Sequence, residues 1–164
     1  MSTTDGDACA LLDALGVAFV RHDHAAVFTC EEAERAVPDT GAVHTKNLFL
    51  RDKRGRRHLL VVTTCARAVN LKALADRLGI DNLSFASPDR LAKHLGVTPG
   101  SVTVLGLMCD KDGAVEVVID EEVWRADRIH AHPLVNTATL VLDHAGLVRF
   151  LEHTGHRYQS LRFD

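Results

Sequence analysis

Apolar residues recur at helical spacing in some stretches of this chain and form short unbroken runs in others, with glycine and proline between them. From Ala8 to Leu15 the spacing is helical, and Gly16 stands where such a helix would be capped. Val17 to Val20 is a short apolar run of strand type. Thr29 and Glu32 form a T-x-x-E capping box, which predicts a short helix ending before Pro38. Asn47 to Arg51 reads as a strand with Leu48 and Leu50 on one face. Leu59 to Thr64 reads as a buried strand, and the polar tract Arg51 to Arg57 as the hairpin turn between them. Leu71 to Leu78 is helical, with Leu71, Leu74 and Leu78 on one face and Gly79 at the end. Ser87-Pro88 supplies an N-cap and a first-turn proline for a helix that stops at Gly96. Val102 to Met108 and Ala114 to Ile119 read as strands joined by a hairpin at Asp110-Lys111-Asp112-Gly113. Ala138 to Leu142 is a further strand, Asp143 caps a last helix that ends at Gly155, and Tyr158 to Phe163 closes as a strand.

This order of elements predicts one compact α/β domain over residues 1–164, with several antiparallel hairpins rather than a doubly wound parallel sheet. The length is that of one domain and is enough to bury a core without disulfide staples. Aromatic residues are only 5% of the chain, so the core is expected to consist of Val, Leu and Ala. No apolar run approaches the ~18–20 residues of a membrane span, and the polar, acidic start from Met1 to Asp7 is not a secretory signal. Cys9, Cys30, Cys65 and Cys109 form no C-x-x-C pair. The expectation is a cytoplasmic protein with reduced thiols and no membrane partner.

Charge sharpens the picture at one place. The net charge is −3, which weighs against a protein that coats nucleic acid, yet Lys46 to His58 holds six cations against one acid, Asp52. Such a local field can attract a phosphate backbone, with Arg54, Arg56 and Arg57 as the contacts; it can equally be a solvated hairpin tip. Lys46 follows a glycine-led loop into a strand, where an ammonium could meet an anionic phosphate or a carbonyl, or could be an ordinary surface lysine. The pairs His22/His24 and His130/His132 have i, i+2 spacing, so each could hold a metal on one strand face or simply hydrogen-bond at strand ends. Gly96 to Gly106 is a glycine-punctuated loop whose backbone N–H groups could approach a ligand; a helix stop and a turn explain Gly96 and Pro99 as well. Phosphate-loop and nucleophile-elbow motifs are absent.

Four segments, in order, resemble the YbaK/prolyl-tRNA-synthetase-associated domain family, and within it the freestanding Ala-tRNA(Pro) deacylases. They are His44-Thr45-Lys46-Asn47-Leu48-Phe49-Leu50, Leu83-Ser84-Phe85-Ala86-Ser87, Leu95 to Thr103, and His132-Pro133-Leu134-Val135-Asn136-Thr137. The resemblance implies a compact α/β domain around a partly open, barrel-like, mostly antiparallel mixed sheet with flanking helices. It implies hydrolysis of the ester joining an amino acid to the terminal adenosine of tRNA, with no metal and no cofactor. Lys46 matches the family's functional lysine, and Asn47 the form found in alanine-directed members. Gly100 begins the segment that matches the G-x-x-x-P substrate loop, in which Val104 here replaces the proline. His132 and Pro133 match its His-Pro element.

On this resemblance Lys46 would hold the terminal phosphate or the ester, and the amides near Gly100 and Ser101 would stabilise the oxyanion. Thr45, Asn47, His132 and Pro133 would contact the substrate. Water would attack, no cysteine would be needed, and a tight apolar pocket would exclude proline by size. The expected partner is mischarged tRNA(Pro), with prolyl-tRNA synthetase as a candidate second partner. Three other readings stay open at this point: a Cys-tRNA(Pro) deacylase, a noncatalytic tRNA-binding module built on the basic hairpin, and a metallohydrolase using the His-x-His pairs.

Overall fold

A computed structural model describes residues 2–163. The chain runs α1 (Asp5–Ala14), β1 (Phe19–Asp23), α2 (Cys30–Ala36), β2 (Thr45–Asp52), β3 (His58–Thr64), α3 (Leu71–Leu78), β4 (Leu83–Phe85), α4 (Pro88–Leu95), two 3₁₀ turns (Pro99–Ser101 and Val104–Cys109), β5 (Val115–Asp120), α5 (Glu121–Trp124), β6 (Arg128–Ala131), β7 (Ala138–Asp143), α6 (His144–Thr154) and β8 (Tyr158–Leu161). The local signals act largely as the sequence predicts, although of the Thr29/Glu32 capping box only the Thr29 half forms. Thr29, Ser87 and Asp143 each accept a backbone N–H in the first turn of α2, α4 and α6. Gly79, Gly96 and Gly155 take the left-handed conformation that ends α3, α4 and α6.

The strands form two sheets rather than the barrel-like sheet expected. One is antiparallel, in the order β1-β7-β6; the other is mixed, in the order β4-β2-β3-β5-β8, with β5 parallel to both β3 and β8. A single parallel bridge, Val43 to Ile129, stitches the sheets at the entrance to β2. There the Val43 N–H donates to the Arg128 carbonyl (2.9 Å), and the His130 N–H to the Val43 carbonyl (3.0 Å). Among the described residues no strand pairing closes a barrel. The main core lies between the sheets and under α4 and α6, around Leu60, Leu95, Leu105, Leu140 and Phe150. A second cluster, Leu50, Leu59, Val61, Leu74 and Val118, sits under α3.

Two expectations fail in one region. Val102 to Met108 is not a strand: from Val104 it is a 3₁₀ turn opened by Thr103, whose hydroxyl accepts the Leu105 N–H (3.2 Å). Val104, Leu105 and Leu107 are all buried, so the run carries no periodicity that would separate strand from helix. Gly106 lies so close to α4 that an added Cβ would stand 3.0 Å from the Leu95 Cβ. The turn at 110–113 is consequently no hairpin: it leads into β5, whose neighbour β3 is parallel, and the Asp110 carboxylate accepts the Val115 N–H (2.8 Å) to start that strand.

Candidate active site

β2 enters its sheet at the junction with the other, and this end of the strand carries Thr45, Lys46 and Asn47. A cavity of about 160 Å³ opens there. Its walls come from β2, from the start of α2 (Thr29, Cys30, Ala33), from the first 3₁₀ turn (Pro99, Gly100) and from the end of β6 (His130, Ala131). His132, Val102, Val27 and Cys65 are also among the lining residues. The volume is below the ~300–1,000 Å³ of sites for drug-sized ligands, so the space suits a group of a few heavy atoms.

The Lys46 side chain makes no ion pair or hydrogen bond among the described residues. Its cross-strand partner Thr63 is buried and donates to Asp120 (2.7 Å). Asp120 in turn is held by Arg67 (2.7 Å), which also reaches Glu122 and the Phe163 carbonyl. The buried Asp120 carboxylate is thereby committed to Arg67 and Thr63 rather than to Lys46.

His132 is fixed by its partner. The Ala138 carbonyl, 3.0 Å from Nδ1, can only accept, so Nδ1 carries the proton and Nε2 is left with a lone pair. Burial lowers its pKa, with the bond to Ala138 opposing, so the ring is neutral near pH 7. His130 pairs with the Thr40 hydroxyl (2.7 Å) and meets His44 edge-on at 4.2 Å; burial pushes its pKa down to about 4. His24 sits between the Ala25 carbonyl and the Thr139 hydroxyl, both at 2.8 Å. His24, His130 and His132 are thus engaged in hydrogen bonds, and among the described residues no three His, Cys, Asp or Glu side chains gather to hold a metal.

The structure brings together Thr45, Lys46, Asn47, Gly100 and His132 and leaves the other expected residues outside. The Thr45 hydroxyl is spent on the His130 carbonyl (2.7 Å), so it ties the two sheets. The Asn47 Oδ1 is buried with no donor. Gly100 packs so tightly that a Cβ would lie 3.2 Å from the Phe28 ring and 3.3 Å from Asn136 Nδ2. No acceptor among the described residues takes the Gly100 N–H, whereas the Ser101 N–H donates to the Thr98 carbonyl (2.9 Å). Ser101 and Pro133 lie away from the cavity. Leu134, next in the His-Pro segment, holds a left-handed backbone at φ 67°, which is costly for a side chain of this shape. Arg54, Arg56 and Arg57 lie at the far end of β2, about 20 Å from Lys46 at ~3.3 Å per strand residue. Arg57 is bound to Glu116 through two N–H groups, at 2.6 and 2.9 Å.

Sequence reasoning misses the cavity's α2 wall. Cys30 and Cys65 both line it and are joined as a disulfide, with Cα atoms 5.8 Å apart, which corrects the expectation that all four thiols are free. Cys9 and Cys109 are the free cysteines. The bonded pair is separated by 35 positions, and nothing in the local pattern reports that the start of α2 folds against the end of β3. Phe28, 73% exposed at the rim, also carries no signal beyond its place before the capping box.

Comparison with known proteins identifies the family. The sequence model of the aminoacyl-tRNA editing domain matches residues 24–150. The prolyl-tRNA editing protein ProX of Acetoanaerobium sticklandii is 38% identical over 152 residues, covering 93% of each chain. Prolyl-tRNA synthetase associated domain-containing protein 1 of Danio rerio is 42% identical over 144 residues, covering 87% of this chain and 78% of that one. Among solved structures, a candidate trans-editing enzyme for prolyl tRNA synthetase superposes with a TM-score of 0.73 at 18% identity, over 100% of this chain and 99% of the other, which establishes the shared fold. The chain is a member of the aminoacyl-tRNA editing domain family, in the branch of the prolyl-tRNA editing proteins.

Proposed function

We propose that this protein hydrolyses mischarged tRNA(Pro), releasing the amino acid in trans, with Ala-tRNA(Pro) as its substrate. The observation that carries the reading is a cavity of about 160 Å³ lined by Lys46, whose side chain pairs with no other described residue, together with Gly100, whose N–H has no acceptor, and His132, whose Nε2 keeps a lone pair. Lys46 holds the terminal phosphate or the ester oxygen as a point charge. Gly100 N–H donates to the oxygen that becomes negative when water adds to the ester carbonyl; Ser101 N–H, already spent, supports the turn. His132 Nε2 and the unpartnered Asn47 Oδ1 are acceptors suited to a water or to the substrate's α-ammonium. When the tetrahedral adduct collapses, the C–O bond to the ribose breaks, and the terminal hydroxyl leaves with a proton.

Val27, Ala33, Val102 and Ala131 give the cavity small apolar walls, which favour alanine and oppose a bulkier ring. Arg54 and Arg56, exposed at the hairpin tip, would touch tRNA phosphates far from the ester. Ala-, Cys-, Ser- and Pro-tRNA(Pro) presented side by side test the reading. Fast release of alanine with Pro-tRNA(Pro) left intact is the expected result. Release of cysteine ahead of alanine makes it a cysteine-directed deacylase. Tight binding of all four with no release makes it a tRNA-binding module and overturns the proposal.

A further inference from the structure

We infer that Cys30 and Cys65 form a reversible redox site that sets the shape of this pocket. α2, which walls the cavity, buries none of its own side chains. Its position therefore rests on its two flanks and on the sulfur bridge. On one flank Val27 is buried and exchanges backbone and side-chain hydrogen bonds with Asn136, both at 3.1 Å; on the other Val37 is buried. The bridge is the one covalent tie between α2 and the β2–β3 sheet, and it arrives one residue beyond Thr64, which pairs with Thr45 beside Lys46.

Both states of the pair are accommodated. The Cα separation of 5.8 Å is in the range a disulfide needs. The Cys65 sulfur also lies 3.4 Å from the Thr45 carbonyl, so a reduced Cys65 has an acceptor for its S–H where it stands. Cys30 and Cys65 are partly exposed and reachable through the cavity mouth. In a reducing compartment such a bond is transient or sensing rather than structural. A low-molecular-weight disulfide such as oxidised glutathione serves as oxidant. One cysteine thiolate attacks it and expels one glutathione thiol, and the second thiolate then displaces the other. Two electrons pass from the pair to glutathione as one S–S bond forms and another breaks.

The bonded state holds the α2 wall against β2 and gives the pocket described above. The reduced state leaves residues 28–36 held by the flanks at Val27 and Val37 and by the packing of the Phe28 ring on Gly100, with no covalent link to the β2–β3 sheet. The inference rests on the proposed deacylation for its kinetic readout, but not for the chemistry or the motion.

The full-length protein, equilibrated across a series of oxidised to reduced glutathione ratios, is alkylated and peptide-mapped, and trypsin cleavage after Arg35 is timed at each ratio. We expect one bond, Cys30–Cys65, to form and break reversibly while Cys9 and Cys109 stay alkylated. Cleavage should be several-fold faster in the reduced protein. KM for Ala-tRNA(Pro) should rise several-fold on reduction with kcat little changed, since the reacting groups are untouched. Cys30→Ser and Cys65→Ser should lose every dependence on the ratio, and a Cys9→Ser/Cys109→Ser protein should keep it. Cys30 and Cys65 alkylated at the most oxidising ratio, or a bond that leaves both cleavage and KM unchanged, overturns the inference. A bond that protects Arg35 in a protein that releases no amino acid refutes the deacylase reading and leaves the redox site standing.

Discussion

In and around the cavity wall the single residues divide by what their polar atoms already hold. Thr45, Thr103 and Ser101 are spent on carbonyls or within a turn, so they build the site rather than meet a ligand. Lys46, the Gly100 N–H and His132 Nε2 keep free capacity. Gly100 is needed for its lack of a side chain. A Cβ there would meet Phe28 at 3.2 Å, and Phe28 is exposed enough to swing aside. Gly100→Ala should therefore fold with an unchanged melting temperature while displacing the rim by a few tenths of an ångström. A misplacement of ~1 Å can cost about 10²-fold in rate, so a loss of roughly tenfold is expected; an unchanged rate would remove Gly100 from the site. Of the residues singled out in the sequence, Lys46 and His132 are legible because their segments match a family. The roles of Thr45 and Ser101 are not, because a hydroxyl or an amide reveals its partner only when the chain is folded.

Elements signalled by local chemistry are found where the sequence puts them. The caps at Thr29, Ser87 and Asp143 and the glycine stops at Gly79, Gly96 and Gly155 act over three or four residues, and no distant partner is needed to read them. The run Val102 to Met108 misleads because burial on all sides erases the rhythm on which strand and helix are told apart. β6 escapes a reading as a strand because Arg128 to Ala131 is short and mixed, and its pairing with β7 and Val43 is decided by tertiary structure. The hairpin between β2 and β3 is legible, and in the folded chain its cations separate. Arg54 and Arg56 are exposed, while Arg57 is committed to Glu116. Arg54→Ala/Arg56→Ala should weaken tRNA binding and reduce the slope of log K against log salt by roughly 0.7–0.9 for each phosphate no longer neutralised. Arg57→Ala should change the slope less. Equal slopes for the wild-type protein and both variants would return the hairpin to a solvated tip.

Over the whole molecule, the junction of two sheets makes the site, and it also gives the fold a pH dependence. His58 and His130 are each pushed down to about 4, chiefly by burial, from an ordinary value near 6.5. Between those values the unfolded chain binds the proton and the folded one does not, so stability rises with pH there and is lost as pH falls from about 6.5 toward 4. Asp110, whose carboxyl is held below its usual range by His156 and backbone N–H groups despite its burial, adds a further loss at lower pH. Urea titrations at stepped pH should show this fall, and His130→Gln should make it shallower; a stability independent of pH between 7 and 4 would contradict the burial assigned to these rings. The bulk composition foretells the Val- and Leu-rich core around two buried phenylalanines. It does not foretell two sheets in place of a barrel-like one, because that depends on whether β1, β6 and β7 pair with the larger sheet along their length or touch it at one bridge.

The central claim is that an unpaired lysine at that junction drives release of an amino acid from tRNA. Lys46→Ala takes away a charge that bonds to nothing else among the described residues, so the fold should survive. An interaction with developing charge is commonly worth ~3–4 kcal/mol, which is about two to three orders of magnitude in rate. Lys46→Arg should restore little, because the guanidinium is broader and its donors point elsewhere. The measurement is single-turnover release of alanine from Ala-tRNA(Pro) by the wild-type and Lys46→Ala proteins, with melting curves of both. The account predicts superimposable melting and a rate lower by about two to three orders of magnitude. A folded Lys46→Ala protein that deacylates at the wild-type rate would contradict it.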